Sequence, residues 1–194
     1  NAIGNSLVDM YVKCGMFEEA QDVFEELVAE DVVSWNALLA GYAQLGNDEI
    51  VFTLFQKMIE DTKPPNLVTF TILMTACSRT GLLEKGQTCL EIMTSIYKII
   101  PDLDHYTCMI DLFGRADHIN MAMALIEKMP LHPDIAVWHT LLGACQNLKK
   151  MDFGKLAFEH AIRMDENSVA AYLFMWNMYA SVSQIDLETV CQVG

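Results

Sequence analysis

Large apolar residues recur along the chain in blocks that begin with an aromatic residue. In "VSWNALLAGYA", which begins at Val33, a Trp is followed three and four residues later by Leu and, after three more, by Tyr. The stretch "AVWHTLLGACQ", which begins at Ala136, repeats this order of residue types. Such spacings place the apolar side chains on one face of an α-helix. Each block therefore predicts an amphipathic helix.

The blocks return at a nearly constant interval, which indicates a repeat protein. A second helical block follows each first one, with large apolar residues at Phe24, Phe55, Leu90, Ile126 and Phe158. Repeats of about 20–50 residues are typical of stacked helix pairs that cannot bury their apolar faces alone. The sequence thus predicts an all-α fold of stacked antiparallel helix pairs, with the first-helix aromatic residues in the core. These are Trp35, Phe70, Tyr106, Trp138 and Tyr172.

The turns inside the helix pairs are marked by glycine. Gly15, Gly46 and Gly81 follow the first helices, where a left-handed residue commonly ends a helix. Asp117 and Lys149 replace this glycine in later repeats. Aspartate tolerates the left-handed conformation moderately, whereas lysine predicts a different or strained turn.

Composition and motifs give no sign of catalysis or of a membrane span. The six cysteines contain no Cys-x-x-Cys pair, and the five histidines form neither His-Glu-x-x-His nor the His-x-Glu signature of a zinc deaminase. We therefore predict no metal site, no cofactor and no enzymatic activity in this chain. The longest apolar run, from Val169, is interrupted by Asn177 and is shorter than the roughly 20 residues of a transmembrane helix. The first residues lack the pattern of a secretory signal, and the chain reads as part of a longer protein.

The repeats resemble those of the plant organellar pentatricopeptide repeat proteins of mixed repeat length. The stretches that carry this resemblance are "NSLVDMYVKCG", "VVSWNALLAGYAQLG", "LVTFTILMTACSRTGLLEKG", "HYTCMIDLFGRA" and "MPLHPDIAVWHTLLGACQN". The resemblance covers essentially the whole chain and implies a right-handed α-solenoid. It implies four repeats in residues 1–134 and a tetratricopeptide-like extension in 135–194. The repeats are 1–31, 32–66, 67–102 and 103–134, and the extension divides into 135–168 and a shortened unit 169–194.

In this family each repeat contacts one base of single-stranded RNA through its fifth and its last residue. The pairs that occupy these places are Asn5 with Asp31, Asn36 with Asn66, Thr71 with Asp102, and Thr107 with Asp134. An ionised Asp only accepts hydrogen bonds and suits the ring N–H of uracil or guanine, whereas an Asn amide can also donate to cytosine. By the family's pairing rules the four repeats would recognise U, C, G and G, from 5′ to 3′.

Two further places support RNA binding by the same resemblance. Val33 and Val68 match the aliphatic residue that wedges against a base, although the fourth repeat has Asp104 there. Lys13, Arg79 and Arg115 match a basic residue that contacts phosphate. His139 occupies a fifth position, but it lies in the extension, where we expect a structural role.

The net charge of the chain argues against RNA binding. The chain has 26 acidic and 12 basic residues, a formal net charge of −14, whereas phosphate binding depends on Lys and Arg. The conflict is reduced if the acidic residues collect on the second helices, as "FEELVAED" suggests. An acidic helical repeat equally suits a tetratricopeptide-like scaffold that binds a protein and not RNA.

The resemblance implies a role as the specificity factor of C-to-U RNA editing in mitochondria or chloroplasts. Residues 135–194 would then face editing-complex proteins, and a deaminase domain would act in trans or from an additional segment. The protein-binding scaffold without RNA recognition is the alternative. Loss of RNA affinity on substitution of Asn5 and Thr107 would distinguish the two.

Overall fold

The computed structural model describes the backbone of residues 2–26 and 31–192, and the side chains of 3–26 and 31–181. These residues form helices and turns, with no β-strand in the described ranges. The chain divides into two compact units, Asn1–Pro101 and Asp102–Gly194. The prediction of an all-α fold of stacked antiparallel helix pairs is confirmed within each unit.

The first unit contains three helix pairs. Their first helices pack side by side, α1 against α3 and α3 against α5, and each second helix packs against its own first helix. A π-helical turn at Ile92–Ile96 extends the last helix. The helices are α1 (Ala2–Lys13), α2 (Phe17–Glu25), α3 (Val32–Gln44), α4 (Asp48–Glu60), α5 (Leu67–Thr80) and α6 (Leu83–Glu91).

The second unit repeats this arrangement. Helix α7 packs against α8 and α9, and α9 packs against α10 and α11. The helices α3, α5, α7, α9 and α11 begin at the first residues of the repeats expected from the sequence. The helices of the second unit are α7 (Leu103–Arg115), α8 (Ile119–Lys128), α9 (Ile135–Leu148), α10 (Met151–Met164) and α11 (Val169–Gln192).

The aromatic residues of the first helices form the core, with one exception. Trp35, Phe70, Tyr106 and Trp138 are each at most 8% exposed, as predicted. Tyr172 is 51% exposed, and its predicted place in the core is wrong. Among the ring contacts of the described residues, the Tyr172 ring contacts only the edge of the Phe158 ring on α10, with centroids 5.3 Å apart, and half of its surface remains exposed.

The turn at Lys149 keeps the geometry of the glycine turns. Lys149 adopts φ 55°, close to the 72° of Gly81, so the expectation of a different turn is wrong and that of a strained one remains. Its backbone N–H still donates to Gln146 O at 3.3 Å, as the helix ending requires. The helix end therefore imposes the left-handed conformation on a residue with a Cβ, at a cost of about 1 kcal/mol.

We expect Lys149→Gly to raise the free energy of unfolding by about 0.5–1 kcal/mol, because relief of this strain exceeds the added flexibility of glycine in the unfolded chain. Gly81→Ala is the matched control and should lower stability by a similar amount. Thermal and urea unfolding measure both changes. A less stable Lys149→Gly variant would show that the turn is not strained.

Candidate nucleic-acid interface

The residue before each of α3, α5, α7 and α9 caps that helix with its side chain. Asp31 Oδ1 accepts hydrogen bonds from the backbone N–H groups of Val33 and Ser34, both at 2.9 Å. Asn66 Oδ1 accepts from the Thr69 N–H at 3.0 Å, and Asp134 Oδ1 from the Val137 N–H at 3.0 Å. These bonds satisfy helix N–H groups that have no partner within the helix. They also hold each capping side chain in one orientation.

In the first unit, a polar residue of the preceding first helix is joined to each cap. Asn5 Nδ2 donates to Asp31 at 3.0 Å from Oδ1 and 2.9 Å from Oδ2. Asn36 Nδ2 donates to Asn66 Oδ1 at 3.1 Å. The structure thus brings together two pairs that the sequence places 26 and 30 residues apart.

The remaining two pairs are arranged differently. The Thr107 hydroxyl donates to Leu103 O at 2.7 Å, and no hydrogen bond joins it to Asp134 within the described residues. The Thr71 hydroxyl donates to Leu67 O at 3.1 Å. Each threonine therefore donates its hydroxyl proton within its own helix, and the Thr107 oxygen is left as an acceptor. Thr71 and Asp102 lie in different units, so their pairing stays a prediction.

The carboxylates of Asp31 and Asp102 have pKa values lowered from the ordinary value of aspartate. The hydrogen bond from the Ser34 backbone N–H lowers the pKa of Asp31 more than burial raises it, and the Asn5 amide lowers it further. Burial raises the pKa of Asp102, but hydrogen bonds from the His105 side chain and backbone exceed that effect, and the net shift is downward. His105 is fully buried, with Nδ1 2.5 Å from Asp102 Oδ1. These carboxylates therefore act as hydrogen-bond acceptors.

Two aliphatic side chains flank the polar pairs and are exposed. Val33 is 64% exposed and Val68 is 54% exposed, although each lies in the first turn of a helix whose opposite face is buried. Exposed apolar side chains beside a row of hydrogen-bonding groups can contact the face of a planar base while the polar groups contact its edge. The two residues expected to wedge against bases thus lie next to the expected base-contacting residues.

The three expected phosphate contacts already have partners in the structure. Lys13 Nζ lies 2.6 Å from Asp9 Oδ2, and Arg115 Nε lies 2.9 Å from Asp111 Oδ2. Both ion pairs are solvent-exposed, and such pairs contribute at most about 1 kcal/mol, so a phosphate can compete with the carboxylate. Arg79 donates instead to carbonyl oxygens at the end of α3, at 3.4 Å and 3.2 Å.

Acidic residues are distributed unevenly between the two kinds of helix. The first helices α1, α3, α5, α7 and α9 contain only Asp9, Asp104 and Asp111, and two of these are paired with basic residues. Helix α2 alone carries four acidic residues. They are Glu18, Glu19, Asp22 and Glu25. The first helices of each unit are therefore less negative than the formal net charge suggests, and the carboxylates at their starts are the capping residues Asp31, Asp102 and Asp134.

Sequence reasoning missed the third residue of the second, third and fourth repeats. Ser34, Thr69 and His105 occupy this place and are at most 8% exposed; each side chain contacts the capping residue of its own helix. The signal was an Asp or Asn followed three residues later by Ser, Thr or His, a variant of the capping box. The unit 135–168 of the extension has Val137 at this place, and there His139 Nε2 lies 2.9 Å from Ser168 Oγ.

The described residues show no other site with evident chemistry. No group of three or more His, Cys, Asp or Glu side chains within them could hold a metal ion. Burial raises the pKa of the Cys145 thiol to about 12, which leaves it protonated and unreactive. None of the helices in the described part of the chain has the length and hydropathy of a membrane span.

Comparison with known proteins identifies the repeats. The PPR repeat family model matches residues 30–79, and the PPR repeat model matches 5–32, 68–96 and 104–132. A pentatricopeptide repeat-containing protein of Arabidopsis thaliana is 42% identical over 184 residues, which is 95% of this chain and 25% of the relative. A mitochondrial relative from the same plant is 39% identical over 95% of this chain and 28% of its own length. The chain thus spans about a quarter of the length of these relatives.

Solved structures share the fold at lower identity. The crystal structure of PPR10 from maize matches with a TM-score of 0.76 and 20% identity, over 96% of this chain and 28% of that one. PPR10 in complex with an 18-nt psaJ RNA element matches with a TM-score of 0.67 and 21% identity, over 97% of this chain and 27% of that one. The PPR domain of Arabidopsis thaliana protein-only RNase P 1, in complex with tRNA, matches with a TM-score of 0.72 and 20% identity. The match covers 92% of this chain and 98% of that domain.

Proposed function

Because this chain belongs to the pentatricopeptide repeat family, we propose that it binds single-stranded RNA along its first helices, with one base opposite each repeat. Two proteins of the same fold, PPR10 and the PPR domain of RNase P 1, have been solved with RNA. The observation that carries the proposal is the row of polar pairs with ordered donors and acceptors, flanked by exposed Val33 and Val68.

The donors and acceptors of each pair fit a particular base edge. Asp31 keeps acceptor capacity on Oδ2 and Asn5 keeps one amide N–H, which matches the N3–H and a carbonyl of uracil. In the second repeat Asn66 Oδ1 is occupied by the Thr69 N–H and Asn36, so the free groups are amide N–H donors. Such donors match N3 and O2 of cytosine. Thr107 and Asp134 both present acceptors, which match N1–H and the amino group of guanine.

At a larger scale, we propose that the complete protein directs C-to-U RNA editing in a mitochondrion or chloroplast. Relatives include a mitochondrial and a chloroplastic protein, and the latter is 37% identical over 90% of this chain and 23% of its own length. Residues 135–194 would position the editing machinery, and deamination would come from a partner or a further domain. The recognition of U, C, G and G would place this machinery downstream of the bound sequence.

Selection from a randomised RNA pool tests the proposed binding. We expect the retained RNAs to be enriched in U followed by C at adjacent positions, with G two positions after the C. The double variant Asn5→Ala and Thr107→Ala should lose the enrichment at the positions opposite the first and fourth repeats and keep the C. A pool without enrichment at any position would exclude sequence-specific RNA binding by this chain.

A protein-binding scaffold is the second candidate, and one observation favours it. Helix α11 exposes a row of aromatic residues, with Trp176 at 74% and Tyr179 at 51%, beside a cleft of about 810 Å³ lined by Phe158 and Lys155. A protein partner captured by this cleft, together with indifference to RNA sequence, would favour the scaffold.

A further inference from the structure

The Thr69 hydroxyl lies between the two amides that form the base-contacting pair of the second repeat. It belongs to the next repeat, at the third residue of its first helix, and the family resemblance gives it no role. Thr69 is fully buried and Asn36 is only 8% exposed, so water does not compete for their hydrogen bonds. The orientation of each amide in the pair follows from bonds that can run in one direction only.

The Asn66 amide is oriented by the backbone. The Thr69 N–H lies 3.0 Å from Asn66 Oδ1, and because a backbone N–H can only donate, the oxygen of this amide must face the start of α5. Asn36 approaches the same oxygen at 3.1 Å and must therefore present its nitrogen. This leaves the Asn36 carbonyl oxygen as the group to be satisfied on the buried side.

The Thr69 hydroxyl supplies the missing donor. The backbone N–H of Asn66 donates to Thr69 Oγ1 at 3.1 Å, and this bond uses one lone pair of the hydroxyl oxygen. The single hydroxyl proton then goes to Asn36 Oδ1, which is 2.7 Å away, in preference to Asn66 Oδ1 at 3.1 Å. The hydroxyl thus holds the Asn36 oxygen inward and leaves only amide N–H groups for an approaching base.

The first repeat shows what happens without this contact. Ser34 occupies the equivalent place, but its hydroxyl bonds only to Asp31, and Asn5 Oδ1 is buried without a partner among the described residues. Asn5 is nevertheless oriented, because both Asp31 carboxylate oxygens can only accept from its nitrogen. In the first repeat two carboxylate oxygens orient Asn5, whereas in the second repeat one amide oxygen orients Asn36 and the Thr69 hydroxyl adds a second hydrogen bond.

We propose that Thr69 is a positioning residue for cytidine recognition in the second repeat, acting through the Asn36 amide. This inference rests on the proposed RNA-binding function. Without the hydroxyl, the inward orientation of the Asn36 oxygen loses its donor and keeps only the bond from Asn36 Nδ2 to Asn66 Oδ1, so the flipped orientation, with the oxygen toward the base edge, becomes more populated. The pair then offers an acceptor as well as donors, which suits uracil N3–H and removes the preference for cytosine.

The test compares Thr69→Val with Ser34→Ala, since both remove a capping hydroxyl at the same place in adjacent repeats. The full chain is titrated with RNAs that contain UCGG, UUGG or CCGG, and affinities are measured by fluorescence anisotropy. We expect Thr69→Val to reduce the preference for UCGG over UUGG about fivefold, the value of one hydrogen bond. Its preference for UCGG over CCGG should not change, and Ser34→Ala should retain both preferences.

The outcomes separate this inference from the proposed function. A wild-type chain without preference among the three RNAs would contradict the proposed function and the inference with it. A wild-type preference for cytidine that Thr69→Val retains in full would overturn the inference alone. Thr69→Ser should keep the preference, because it retains the hydroxyl. If Thr69→Val loses helical structure by circular dichroism, the pair Thr69→Ser and Thr69→Ala makes the same comparison.

Discussion

Replacement of Asn66 by Asp is expected to change the nucleotide preferred by the second repeat from cytidine to uridine. The Thr69 N–H holds one side-chain oxygen of residue 66 in either variant, so the substitution exchanges the outward amide nitrogen for a carboxylate oxygen. That oxygen accepts from N3–H of uracil and is repelled by N3 and O2 of cytosine. A mismatch of donors and acceptors costs about 1–3 kcal/mol, which corresponds to roughly 5-fold to 150-fold in relative affinity.

Competition between UCGG and UUGG RNAs measures this change. The reciprocal variant, Asp31→Asn, is the matched control and should move the first repeat from uridine toward cytidine while leaving the second unchanged. Independent shifts at the two positions would support one base per repeat. A loss of affinity for all RNAs without a change in their order would instead assign Asn66 a structural role.

Replacement of Phe70 by Ala is expected to lower the free energy of unfolding of the first unit by about 3–5 kcal/mol. Phe70 is fully buried, and its ring lies 6.0 Å from that of Phe55 and 5.8 Å from that of Tyr97. Its removal leaves a cavity between α4, α5 and the segment after the π-helical turn. Because neighbouring repeats stabilise each other, the loss should extend beyond this helix pair.

Urea unfolding monitored by circular dichroism measures the effect, with Val68→Ala as the control on the same helix. Val68 is exposed, so its truncation should change stability by at most about 0.5 kcal/mol. It should nevertheless weaken RNA binding if Val68 contacts a base. Equal losses of stability in the two variants would contradict the assignment of opposite faces of α5 to the core and to the interface.

The local pattern was sufficient to predict where helices begin and what they bury. An Asp or Asn just before a run of apolar residues at helical spacing is both a cap and a boundary, because its side chain competes for helix N–H groups that water would otherwise bind. Asp31, Asn66, Asp102 and Asp134 all act in this way. The same reasoning failed at Tyr172, because burial depends on a neighbouring helix that the residue's own helix does not specify.

The sequence by itself determined the helix pairs, their turns and the identity of the polar residues that precede each first helix, because these follow from interactions within about four residues. Only the tertiary structure decided which polar groups meet. The bond from Thr69 to Asn36 joins residues 33 positions apart, and the direction of an amide depends on every donor around it. Neighbouring repeats must be packed together before the donors and acceptors presented to a base are defined.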